Sequence, residues 1–120
     1  MDLLKTAPTR KTTSWFGYQF SLPSATIYKS LVFSIYGRST TVPGIVIGAV
    51  DNRICPITST SWDPGCVGSW TGVGFSTAWY SKSLSTTYNR SGLYVRAFAA
   101  ANGAGGVAKA RLRVAYGILR

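Results

Sequence analysis

The sequence predicts an all-β domain, an antiparallel β-sandwich of about seven strands, and three observations predict it. Alternation of apolar and polar residues with a period of two recurs along the chain. Turn formers divide these stretches at the spacing usual for sandwiches. The composition joins 13 Gly with 7 Tyr, 5 Phe and 4 Trp and contains no Glu, which suits strands and turns better than helices. A jelly roll is the specific form of sandwich expected, and a small Greek-key barrel of the OB type is the alternative. At 120 residues the chain has the length of one domain.

Residues 1–12 hold Lys5, Pro8, Arg10 and Lys11 and little apolar material, so they read as an N-terminal arm before a single domain spanning 13–120. Alternation then begins. Phe16, Tyr18, Phe20 and Leu22 share one face, and Trp15, Gly17, Gln19 and Ser21 share the other. Pro23 ends that strand. In the next, over 27–36, Ile27, Leu31, Phe33 and Ile35 make the apolar row. Residues 37–44 read as a turn and 45–50 as a short strand, in which Gly48 marks a bulge or a close neighbour.

Turn signals at Asp51-Asn52, Pro56 and Asp63-Pro64-Gly65 make 51–69 the longest irregular stretch, with Trp62 as the tryptophan expected to be exposed. A strand over 70–80 follows, with Val73, Phe75, Thr77 and Trp79 on one side, then a weaker strand pattern at 84–88. The strands 93–101 and 107–119, joined by Asn102-Gly103-Ala104-Gly105-Gly106, read as a C-terminal β-hairpin. In its last strand Ala108, Ala110, Leu112, Val114, Tyr116 and Ile118 form one face, and Lys109, Arg111 and Arg113 the other.

Several kinds of chemistry are poorly provided for. The chain has no His and no Glu, so the commonest general base and the commonest metal ligand are missing. Asp51 and Asp63 are the only carboxylates near one another in sequence, and both sit where turns begin. An enzyme, a metal site and a cofactor are therefore not expected. Cys55 and Cys66 leave two readings open, a short disulfide loop or a pair of free thiols in a reducing compartment. The sequence shows no apolar stretch of signal-peptide or membrane-helix length, so synthesis in a cytoplasm and no membrane partner are expected.

Charge is the informative feature. Against 13 Lys and Arg stand 3 Asp, a net charge of +10, which is more one-sided than solubility requires and points to an acidic partner. Lys109, Arg111 and Arg113 alternate along one strand and so project as a stripe roughly 13 Å long. Arg96, on the facing strand, joins that stripe or a parallel row depending on register. With Lys5, Arg10 and Lys11 of the arm, these residues make up the candidate partner-binding set.

One resemblance adds to this. Leu93-Tyr94-Val95-Arg96-Ala97, a turn of small residues, and Ala110-Arg111-Leu112-Arg113-Val114-Ala115-Tyr116-Gly117 resemble the last hairpin of small β-sandwich proteins in tailed-bacteriophage virions, over about a quarter of the chain. The resemblance implies a capsid decoration (cement) protein, present in the virion after synthesis in the host cytoplasm. It also implies docking as a trimer or dimer on the major capsid protein or a similar acidic lattice. The alternatives are a small viral coat protein that packages nucleic acid, an OB-like module that binds nucleic acid, and a glycan-binding module built around Trp62.

Overall fold

The computed structural model describes residues 2–11, 15–22, 27–40, 44–50, 54, 64–86, 94–100 and 105–117. Nine strands run through them: β1 (Asp2–Lys5), β2 (Arg10–Lys11), β3 (Trp15–Ser21), β4 (Ile27–Ser39), β5 (Val46–Ala49), β6 (Thr71–Gly72), β7 (Ala78–Leu84), β8 (Tyr94–Ala100) and β9 (Gly105–Gly117). Pro64–Cys66 forms a short 3-10 turn. The strands form a four-stranded sheet, ordered β1-β9-β4-β7, and a five-stranded sheet, ordered β2-β3-β8-β5-β6. Every pairing is antiparallel.

The order of pairing defines the architecture. β1 pairs with β9, β3 with β8, β4 with β7 and β5 with β6. These are the nested pairs of one long hairpin, and they alternate between the two sheets. The chain is thus rolled up as a hairpin, which is the jelly-roll arrangement of a sandwich.

Period-two patterning decides which side of each strand faces inward. Tyr18 and Phe20 of β3, with Ile45, Ile47 and Ala49 at β5, meet Leu31, Phe33 and Ile35 of β4 and Ala110, Leu112 and Val114 of β9. Large side chains oppose smaller ones in register, with Phe33 beside Leu112 and Ile35 beside Ala110. Phe33 also packs its ring against Tyr18 and Phe20, each at 6.2 Å between centroids. Hiding such a side chain stabilises the fold by about 1.5–3 kcal/mol, so a one-residue slip, which would turn the whole row to solvent, is strongly opposed.

Three expectations require correction. The C-terminal β-hairpin is absent, because β8 lies in the five-stranded sheet and β9 in the four-stranded one. Both edges of β8 are taken by β3 and β5, and both edges of β9 by β1 and β4, so neither has an edge free for the other. Gly37 is not in a turn but inside β4, beside a register shift against β9. A Cβ there would overlap the Gly106 carbonyl oxygen, so glycine permits the close approach of the two strands. The strand expected over 70–80 is divided into β6 and β7 by bends at 75–77, where Phe75 is exposed.

The first residues belong to the sandwich as well. β1 adds an edge to β9, with Leu3 packed on the core, and β2 adds an edge to β3. Ser39 closes the far end of β4. Its hydroxyl donates to the Val73 carbonyl at 2.9 Å and accepts from the Ile45 N–H at 2.7 Å.

Candidate binding face

The outward positions of the four-stranded sheet form a surface of distinct character. On β9 these are Lys109, Arg111 and Arg113, because Ala110, Leu112 and Val114 are buried. Register places Lys109 beside Tyr36 and Trp79, Arg111 beside Ser34 and Ser81, and Arg113 beside Val32 and Ser83. The same register puts Leu4 and Asp2 of β1 next to Arg111 and Arg113.

The three cations have different surroundings. Arg113 donates from Nε and Nη2 to the two carboxylate oxygens of Asp2, at 2.9 and 3.3 Å. That hydrogen bond holds the Asp2 carboxyl below its ordinary value of 3.8 and raises Arg113. The pair is exposed and largely cancels its own charge. Lys109 sits 5.4 Å from the Tyr36 ring and 5.5 Å from that of Trp79. Arg111 lies with its guanidinium carbon 4.3 Å from the Trp79 ring centroid. Neither Lys109 nor Arg111 is ion-paired among the described residues.

These contacts fix the two cations. Tyr36 and Trp79 pack at 5.4 Å and make one aromatic floor, and a cation over such a ring gains roughly 0.5–2 kcal/mol as water is excluded. Below Arg111, Ser34 is buried and its Oγ shares a 2.7 Å hydrogen bond with Ser81 Oγ. The Arg111 Nε is buried without a hydrogen-bond partner. Leaving a buried donor unmade costs about 1–3 kcal/mol, so this arginine is held in place at some expense. Next to Tyr36, the β4–β9 bulge leaves an open depression of ≈ 390 Å³ walled by Tyr36, Arg38, Thr77, Gly106 and Val107. Arg38 is exposed at its rim.

Of the expected binding set, Lys109, Arg111 and Arg113 come together. Lys5 does not join them, because it is opposite the buried Ala110 and so at an inward register position on the sheet edge. Arg10, Lys11 and Arg96 lie on β2 and β8 of the other sheet, where Arg96 is in register with Gln19. Arg96 therefore joins neither the stripe nor a row beside it. Tyr36, Arg38 and Trp79 were absent from the expected set. Tyr36 was within reach, since it falls outside the apolar row of its strand.

Cys66 is buried and disulfide-bonded. Cys55, the one other cysteine of the chain, lies outside the described residues, as do Asp51, Trp62 and Asp63. Among the described residues no three His, Cys, Asp or Glu side chains gather into a metal-binding group. No helix among them is long and apolar enough to cross a membrane.

Comparison of the chain with protein-family models, curated proteins and solved structures finds no match.

Proposed function

We propose that the chain is a non-enzymatic structural protein of a virus particle, which holds an acidic component of that particle against the outer face of its four-stranded sheet. The observation that carries this is the pair Lys109 and Arg111, set on the Tyr36–Trp79 floor without an ion-pair partner among the described residues. It occurs in a chain with 13 basic and 3 acidic residues. The rolled sandwich supports the assignment by analogy, since jelly rolls recur in viral capsid domains and also in lectins and cupins.

As a decoration protein, the chain would dock on the acidic outer surface of the major capsid protein, as a trimer or dimer. As a coat protein, it would turn the same face to packaged nucleic acid. The second role is favoured by the aromatic floor, which a purely electrostatic contact does not need.

Light scattering of the purified chain during size exclusion, with and without acidic polymers, tests the proposal. Self-association or co-elution with a polyanion, weakened by K109A/R111A, is expected. A monomer that binds none of them, or one that turns over a small molecule, would overturn it.

A further inference from the structure

We infer that the acidic component is single-stranded nucleic acid, with phosphates on Lys109 and Arg111 and one base in the depression beside Tyr36; this rests on the outer sheet face being the docking surface. Three observations lead there.

The first is charge density. Nucleic acid carries a charge at every residue, whereas an acidic protein surface mixes carboxylates with neutral groups. Thirteen cations against three Asp suit the denser polymer. The second is the placing of the cations. Lys109 and Arg111 stand two residues apart on one strand, about 6.6 Å along it, and both are seated on aromatic rings. Arg38 continues the basic line past Tyr36 to the rim of the hollow.

The third is the hollow itself. Its volume, ≈ 390 Å³, is within the range of small-molecule sites. Tyr36 lines the hollow and also lies under Lys109, so one ring borders the place for a base and the place for a phosphate. A flat base can enter such a hollow and lie against the ring that lines it. A broad sheet face does not enter a duplex groove, while unstacked bases of a single strand are free to lie against it.

The test measures fluorescence anisotropy of the full chain with four probes. They are a labelled oligothymidylate of about a dozen nucleotides, an abasic oligomer of equal length, a duplex and a polyglutamate peptide. The oligothymidylate should bind at least about tenfold tighter than the abasic strand. Tyr36→Leu should remove most of that ratio, and Tyr36→Phe should keep it. K109A/R111A should lower the slope of log affinity against log salt by about 1.4, two contacts at roughly 0.7 each. Thermal melts check that each variant folds, and the wild-type ratio stands even where a variant does not.

Equal binding of base-bearing and abasic strands, both weakened by K109A/R111A, would overturn the inference and leave the proposed face standing. Tighter binding of polyglutamate would overturn the inference in favour of an acidic protein lattice. Polyanion binding indifferent to K109A/R111A would overturn both.

Discussion

The two sheets share one interior but finish their outer faces in opposite ways. Over β5 the five-stranded sheet is covered by its own chain. Outward of β5, Gly48 lies under Val67, Ser69 and Trp70, and Val50, Cys66 and Val67 form a second apolar cluster with Trp15 and Trp70 packed against it. The segment is tied down by the Val50–Val67 bridge and by the bonded Cys66. The four-stranded sheet has no such cover among the described residues. Its outward positions carry cations on aromatic rings. The outer side of β5 is therefore completed from within the molecule, while the outer side of β9 carries Lys109, Arg111 and Arg113. Among the described residues, the buried, unpartnered Nε of Arg111 belongs to the second.

Gly48→Ala would break the covered face first. A Cβ at Gly48 would lie 2.5 Å from Val67 Cγ1 and 2.7 Å from the Ser69 carbonyl oxygen. The second contact is with backbone and cannot be relieved by a rotamer change. A loss of about 1–3 kcal/mol is expected, measured by urea unfolding, with polyanion affinity at fixed salt unchanged in the folded population. A fall in affinity of the folded variant would mean that the two faces are coupled.

The contrast between the faces also shows what sequence alone could deliver. The inward rows of β3, β4 and β9 were legible because burial on one side imposes a period of two, and the apolar residues follow it. The alternation of Lys109, Arg111 and Arg113 was legible for the same reason. Trp79 was not, since a strand begun at Trp70 puts it in a row with Val73 and Phe75. The real strand starts at Ala78, after bends whose geometry the alternation does not reveal. The hairpin failed for a different reason. A glycine-rich connection signals a change of direction without saying whether the chain returns within its sheet or crosses to the other. That depends on edges occupied by β1 and β4, whose residues are distant in sequence. The Asp2–Arg113 pair, 111 residues apart, was equally out of reach.

A second prediction concerns the interior beneath both faces. Tyr18 is 2% exposed, and burial pushes its phenol from the ordinary value of 10.0 up to about 12. A raised value means that the folded state holds the proton more tightly than the unfolded chain. The linked stability is fully present below pH 10.0, then falls between there and about 12 as the unfolded phenol ionises and the buried one resists. Tyr18→Phe removes this penalty. Its alkaline unfolding midpoint, followed by circular dichroism, should move to higher pH than the wild type. An unshifted midpoint would mean that Tyr18 plays no part in the alkaline limit.

The smallest expected effect gives the finest test of the open face. Asp2 is an intramolecular competitor for Arg113, occupying by a two-oxygen contact the one cation of the stripe that is ion-paired among the described residues. Asp2→Asn keeps the size of the side chain but releases that charge, so nucleic-acid affinity should rise and the salt slope should steepen by up to about 0.7. Acid behaviour supplies the sign. A carboxyl held below 3.8 contributes stability that is present above that pH and lost as pH falls through its lower folded value. The stability difference between wild type and D2N should therefore be constant from neutral pH down to about 4 and shrink below it. A steeper salt slope without that acid signature would mean that Asp2 weakens binding only by its long-range charge. The acid signature without a steeper slope would place Arg113 outside the contact, leaving Lys109 and Arg111 as the cations that meet the partner.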